Sequence, residues 1–214
     1  MVTAMLIHFL MLSPAATRPS RKAGQCPALT GSSSSRALLL YACGLADLTI
    51  ARLAELPRVI GLKDAAGDMT RPARLRSLLG TDFRVLCGDD ALALPYLAQG
   101  GDGCISVTSN IAPGLCRNMF LAWKQGQSVR AHRLARAAAP LITAQFRESN
   151  PIPVKYALAL LALMSPAVRL PLVELSLHYR TEMGEVLLRL RDEYSEYMIG
   201  NAPERSEAIR AVAG

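Results

Sequence analysis

The chain has 214 residues and a mass of 23.0 kDa, enough for one large domain or two small ones with a sizeable core. Apolar residues make up 51% and charged residues 19%, which excludes general disorder, and no apolar run reaches the roughly 18 residues of a membrane-spanning helix. The formal charge of +7 comes from singly scattered basic residues and aromatic residues are only 5%, so composition argues against nucleic-acid binding.

Residues 1–44 form an atypical N-terminal segment, because the chain carries no acidic residue before Asp47. The apolar start resembles a secretory signal peptide and the Arg- and Ser-rich continuation an organellar transit peptide. However, the start lacks a positive n-region, and His8 interrupts its apolar run. We favour a third interpretation, in which Met5–Leu12 and Ala37–Tyr41 are buried strands of a barrel.

From Leu45 onward, short apolar runs alternate with segments of helical periodicity. Residues 45–56 predict a helix that Pro57 ends. The predicted elements that follow are a strand at Val59–Lys63, a helix at Pro72–Leu79, a strand at Phe83–Cys87, a helix at Ala91–Gln99 and a strand at Gly103–Thr108. This alternation is typical of parallel β/α units, which we assign to residues 45–112.

After Asn110 the sequence predicts helices only. The four predicted helices are Pro113–Gln125, Val129–Arg147, Pro151–Leu163 and Val173–Met198. We therefore divide the rest of the chain into a C-terminal helical region, 113–200, and a tail, 201–214. With the two N-terminal strands, five strands are predicted in all.

Polar residues gather where the predicted strands end, at Tyr41, Lys63-Asp64, Gly88–Asp90 and Ser106–Asn110. In a (β/α) barrel this is the face that carries catalytic groups. An amine on a stem that lies in an apolar interior favours its neutral form, which attacks a carbonyl carbon. A tyrosine at a neighbouring strand end can pass protons to and from the adduct.

Simpler interpretations of the same residues stay open at this point. A lysine at a strand end is commonly a solvated or ion-paired residue, and Tyr41 could be a core aromatic. Asp89 and Asp90 could form the N-cap of the helix that follows. The five cysteines form no CxxC pair and the three histidines are far apart, so we predict no metal site and reduced thiols in a cytoplasmic protein.

Four motifs in this order resemble the dihydrodipicolinate synthase/N-acetylneuraminate lyase family of class I aldolases. They are Val59–Ala65 with Gly67-Asp68, Cys87–Asp90, Gly100–Asn110 and Asn150–Lys155. The resemblance runs from about Leu45 to Ile199, and the Asn-Pro-Ile-Pro-Val-Lys element favours the dihydrodipicolinate synthase branch.

The resemblance implies a (β/α)8 (TIM) barrel with extra C-terminal helices, of which this chain would hold about five β/α units, and a homo-oligomer. Lys63 would form an imine with pyruvate, so that no cofactor is needed. Tyr41 would belong to the proton relay, and Gly88 and Ile105 would line the pyruvate pocket. The implied reaction joins pyruvate to aspartate semialdehyde in lysine biosynthesis, through the diaminopimelate pathway.

Two alternatives to this function remain. One is another pyruvate aldolase, of the N-acetylneuraminate or sugar-acid lyase type. The other is a degenerate paralogue without catalytic activity.

The first 44 residues depart from the family pattern. The Gly-Thr-Thr-Gly-Glu loop and the first three strands have no counterpart, Ala15 and Ala16 stand where the family has tyrosines, and no substrate-binding arginine follows Tyr41. We interpret this segment as truncated and locally scrambled. Because only Tyr41 of three relay hydroxyls is matched, we expect Lys63 to form an imine while turnover is impaired.

Overall fold

The computed structural model describes residues 44–56, 58–199 and Ile209. The predicted strands Met5–Leu12 and Ala37–Tyr41 lie outside these residues. The described elements are, in order, α1 (Asp47–Ala54), β1 (Gly61–Asp64), α2 (Arg71–Leu79), β2 (Arg84–Cys87), α3 (Ala93–Ala98), β3 (Gly103–Cys104), a 3-10 turn (Thr108–Asn110), α4 (Pro113–Lys124), α5 (Ser128–Gln145), α6 (Ile152–Leu160), α7 (Leu177–Tyr194) and a second 3-10 turn (Ser195–Tyr197).

The three described strands form one parallel sheet in the order β1-β2-β3. Lys63 pairs with Leu86, Asp64 with Cys87, and Cys87 in turn with Cys104. Each strand is followed by a helix or a helical turn, as the alternation of apolar runs predicts. The carboxyl ends of the three strands therefore lie side by side at one edge of the sheet.

The third strand is shorter than the sequence predicts. It ends at Cys104 rather than at Thr108, and Thr108 instead begins a 3-10 turn that runs to Asn110. Asp90 Oδ2 accepts hydrogen bonds from the N–H groups of Val107 (2.8 Å) and Thr108 (3.0 Å). Because a side chain supplies these acceptors, the backbone here does not continue the strand ladder.

The C-terminal region is helical in the described residues, and several helix boundaries differ from the prediction. Helix α6 ends at Leu160 rather than Leu163, and Ala162 adopts a left-handed backbone conformation (φ 53°) that stops the helix. Helix α7 begins at Leu177 rather than Val173, after Ser176 in extended conformation. Pro171 lacks an N–H donor and restricts the residue before it, which keeps this stretch irregular.

The apolar core joins the sheet to the helices. Val85 of β2, Leu75 of α2, Leu115 of α4, Leu141 of α5 and Leu187 of α7 are all completely buried. Burying each such side chain contributes about 1.5–3 kcal/mol to folding. Among the helices that the structure describes, none combines the length and the apolar character needed to cross a membrane.

Candidate active site

Lys63 and Gly88 meet where β1 and β2 end. Lys63 lies on β1 and is half-buried, and Gly88 directly follows β2. A Cβ added to Gly88 would lie 3.0 Å from Cε of Lys63 and 2.9 Å from Cβ of Ala65. Side chains do not tolerate contacts this short, so the lysine stem can lie against the backbone here because residue 88 is glycine.

The backbone holds the next strand end in the same row. Gly88 donates its N–H to the carbonyl oxygen of Asp64 at 2.6 Å, and Ile105 donates its N–H to the carbonyl oxygen of Cys87 at 2.8 Å. The structure thus places Lys63, Gly88 and Ile105 on three consecutive strand ends. Tyr41, the fourth site residue that the sequence singles out, lies outside the described residues.

Asp64 faces away from this row, into the layer of helices, as the alternation of side chains along a strand requires. Its side chain is 3% exposed. Oδ2 accepts a hydrogen bond from the Tyr96 hydroxyl at 3.0 Å, and Oδ1 accepts from Arg71 Nη1 at 3.3 Å and from the Ala66 N–H at 3.1 Å. The buried carboxylate is therefore paired with a cation and further hydrogen-bonded.

Arg71 carries the network on to α1. Its Nε donates to Asp47 Oδ1 at 3.0 Å, and Nη2 donates to the carbonyl oxygen of Leu45. The side chain is 8% exposed, so Arg71 is a buried cation between two carboxylates. Separating the partners of such a buried pair would leave a charge unpaired in the interior, which is costly, so the pair favours one specific geometry.

Tyr96 of α3 is 1% exposed and packs against backbone. A Cβ added to Gly101 would lie 2.4 Å from Cδ1 of the Tyr96 ring, so only glycine allows the ring its place. Burial, with the negative charge of Asp64, raises the pKa of Tyr96 well above its usual range. The hydroxyl therefore stays protonated and donates a hydrogen bond to Asp64 Oδ2.

Asp90 anchors the loop after β3 instead of starting a helix. Its two N–H donors belong to Val107 and Thr108, and the N-cap of α3 is Leu92, which makes no side-chain cap. Asp89 Oδ1 accepts the Ala91 N–H, at 2.8 Å. The interpretation of the acidic pair as an N-cap is therefore wrong, and Asp90 fixes the segment that follows Ile105.

The cysteines described, Cys87, Cys104 and Cys116, are free and buried. Burial raises the pKa of Cys116 to about 12, and a hydrogen bond with Cys87 together with burial raises the pKa of Cys104. The thiols of Cys104 and Cys116 therefore stay protonated near neutral pH and are not nucleophiles there. In the described part of the chain, no three His, Cys, Asp or Glu side chains are placed to hold a metal ion.

The sequence did not predict the network of Asp64, Arg71 and Tyr96, although it placed Asp64 at a strand end. The available signal was the strand alternation: if Lys63 faces the sheet edge beside Gly88, Asp64 must face the helices. Its partners come from two different helices, and nothing in the local sequence identifies them.

Residues 39–190 match the profile of the Dihydrodipicolinate synthetase family. The 4-hydroxy-tetrahydrodipicolinate synthase of Rhodospirillum centenum is 51% identical over 125 residues, which make up 58% of this chain and 43% of that protein. That of Rickettsia bellii is 42% identical over 144 residues, 67% of this chain and 49% of the other. The chain thus spans about half the length of the curated relatives it matches.

Solved structures of the same family share the fold. The 4-hydroxy-tetrahydrodipicolinate synthase of Methylacidiphilum fumariolicum superposes with a TM-score of 0.67 at 33% identity, over 71% of this chain and 51% of that one. The dihydrodipicolinate synthase of Acinetobacter baumannii, solved in complex with pyruvate, gives a TM-score of 0.63 at 38% identity, over 67% of this chain and 49% of that one. From its sequence and its fold, the chain belongs to the dihydrodipicolinate synthetase family.

Proposed function

We propose that this chain is a pyruvate-dependent class I aldolase that joins pyruvate to aspartate semialdehyde through an imine on Lys63. The observation that carries the proposal is the close approach of the Lys63 stem to the backbone of Gly88 at the strand ends, which only the missing side chain of Gly88 allows. A keto acid bound at this edge of the sheet would have its carbonyl carbon next to the lysine amine. Family membership supports the same assignment.

The reaction needs no external cofactor. The Nζ lone pair of Lys63 attacks C2 of pyruvate, and the carbinolamine loses water to give the imine. Loss of a proton from C3 gives an enamine, whose C3 attacks the aldehyde carbon of the second substrate. Water then hydrolyses the imine, releases the product and restores the lysine. We assign proton transfer during these steps to Tyr41.

Gly88 and Ile105 would form the wall of the pyruvate pocket. Both N–H groups are already used in hydrogen bonds within the sheet. We therefore propose that Gly88 contacts pyruvate through its Cα and Ile105 through its carbonyl group or side chain. A wall of this kind sets the distance between the keto acid and Lys63.

The three described β/α units are, in this proposal, part of a (β/α)8 barrel, the architecture of the family. We propose a homo-oligomer in the cytoplasm, on the same ground. The expectation of impaired turnover rests on residues 13–44, of which only Gly44 is in the described part of the chain, and stays a prediction.

An aldehyde panel tests the function. The full chain is incubated with pyruvate and either aspartate semialdehyde, N-acetylmannosamine or a sugar-acid aldehyde, and the products are identified by mass spectrometry. The proposal predicts product from aspartate semialdehyde and none after Lys63→Ala. Product from N-acetylmannosamine or the sugar-acid aldehyde alone would instead assign a lyase of the alternative type. No product with any aldehyde would favour the non-catalytic alternative.

A further inference from the structure

We propose that Asp64 and Tyr96 are positioning residues for Lys63, holding the lysine strand at the distance from Gly88 that imine formation requires. This inference rests on the proposed function and goes beyond it, because neither side chain faces the keto-acid site. Both act through the backbone of β1.

Asp64 is held both by its backbone and by its side chain. Its carbonyl oxygen accepts the N–H of Gly88 at 2.6 Å, so the residue next to the lysine also fixes the wall opposite it. Its carboxylate accepts the Tyr96 hydroxyl and an Arg71 nitrogen. A movement of Asp64 would therefore shift Lys63 and Gly88 relative to each other.

The ring of Tyr96 is tightly packed and cannot follow a movement of Asp64. Its ring lies against the backbone of Gly101, where a single added carbon would meet it at 2.4 Å. The Tyr96 hydroxyl donates its hydrogen bond to Asp64 Oδ2 at 3.0 Å. The tyrosine thus links α3 rigidly to the end of β1.

Arg71 provides a second anchor for the Asp64 carboxylate, through the oxygen that Tyr96 does not bond. Arg71 joins Asp64 to Asp47 of α1 and to the Leu45 carbonyl. The end of the lysine strand is held between this ion-pair cluster and the Tyr96 hydroxyl. A displacement of about 1 Å in a reacting group can cost about 10²-fold in rate, so such anchoring matters for catalysis.

The test compares Tyr96→Phe with Tyr156→Phe. Each change removes one hydroxyl from a buried tyrosine, but Tyr156 lies on α6, in the helical region, beside Arg180 rather than Asp64. The rate at which borohydride traps the pyruvate adduct on Lys63 is measured across pyruvate concentrations by mass spectrometry. Amide hydrogen exchange at residues 61–64 and at Gly88 is measured in parallel.

For Tyr96→Phe we expect the maximal trapping rate to fall at least about tenfold, with half-saturating pyruvate changed less than about threefold. Exchange at Gly88 should rise, and Tyr156→Phe should change neither quantity. A trapping rate equal to that of the wild type would overturn the inference, even if exchange or stability changed.

Two further outcomes keep the inference separate from the proposed function. If the wild-type chain forms no adduct, the proposed function fails, and unchanged exchange at Gly88 in Tyr96→Phe then overturns the positioning role while faster exchange supports it. If Tyr96→Phe does not fold, Asp64→Asn takes its place. Its single amide oxygen can accept from Tyr96 or from Arg71 but not from both, so one of the two anchors is lost, and a normal trapping rate would contradict the inference.

Discussion

Cε of Lys63 lies 3.0 Å from the point where a Cβ on Gly88 would stand. Lys63 lies on β1, Gly88 directly follows the neighbouring parallel strand β2, and the Gly88 N–H group bonds to the carbonyl oxygen of Asp64. The close approach of the two residues is therefore allowed by the absence of one side chain and kept by one backbone hydrogen bond.

Gly88→Ala should force Lys63 away from the backbone at this strand end. The added methyl would press on Lys63, on Ala65 and on the Asp64 carbonyl, and we expect a loss of about 1–3 kcal/mol in the free energy of unfolding. The pyruvate adduct should form at least about tenfold more slowly. Gly103→Ala is the matched control, because its new Cβ would meet only Leu86, at 3.4 Å. Equal effects of the two changes on adduct formation would contradict this picture.

Arg71→Leu should destabilise the fold strongly. The change leaves the buried Asp64 carboxylate without its cation, which costs about 3–5 kcal/mol when one partner of a buried pair is removed. Urea unfolding of the two proteins measures the difference. Arg74→Leu removes a guanidinium that also bonds Asp47 but is 49% exposed, and it should cost much less because solvent screens that pair. A larger loss for Arg74→Leu would refute the assignment of Arg71 as the structural cation.

Asp90→Ala should loosen the segment after Ile105. The N–H groups of Val107 and Thr108 lose their acceptor, and leaving such donors unpaired costs about 1–3 kcal/mol in unfolding free energy. Asp90→Asn keeps an acceptor oxygen and should lose less. Asp89→Ala serves as the control, since the Asp89 side chain accepts the Ala91 N–H and neither of the two N–H groups that Asp90 holds. The prediction fails if thermal unfolding ranks Asp89→Ala as the most damaging of the three.

Alkaline pH should destabilise the fold through its buried thiols. The pKa of Cys116 is raised to about 12 in the folded chain, whereas an unfolded thiol titrates near about 8.5. The stabilisation is complete below the unfolded pKa and is lost as pH rises from there toward about 12. Such a group contributes a slope of up to about 1.4 kcal/mol per pH unit.

Unfolding free energies measured between about pH 9 and 11 should therefore fall with pH, and less steeply in Cys116→Ala. The pKa values of Cys104 and Tyr96 are also raised in the folded chain, so part of the slope should persist in Cys116→Ala. Identical slopes in the two proteins would show that Cys116 does not titrate in this way.

Local sequence patterns predicted the β/α alternation because apolar runs and helical periodicity are local properties. The predicted end of β2 at Cys87 is confirmed, and β1 ends at Asp64, one residue beyond the predicted Lys63, because each strand stops close to where its apolar run stops. The third strand was misjudged because its end depends on Asp90, a residue from the preceding loop. Tertiary hydrogen bonds of this kind override strand preference.

The candidate site divides in the same way. Lys63, Gly88 and Ile105 could be named from the sequence, since the ends of parallel strands share an edge. The anchoring of Asp64 could not, because Arg71 and Tyr96 follow it by 7 and 32 residues and belong to separate helices. Sequence spacing does not show which helix residue will meet a buried carboxylate.

The most direct test of the central claim is the mass of the intact chain after incubation with pyruvate and borohydride. The account predicts an increase that matches one reduced pyruvate adduct, located on Lys63 by peptide mapping and abolished by Lys63→Ala. Lys155→Ala is the matched control and should keep the adduct, since Lys155 lies on α6 and donates to the Ala167 carbonyl. No adduct on the wild-type chain, or an adduct that survives Lys63→Ala, would contradict the account.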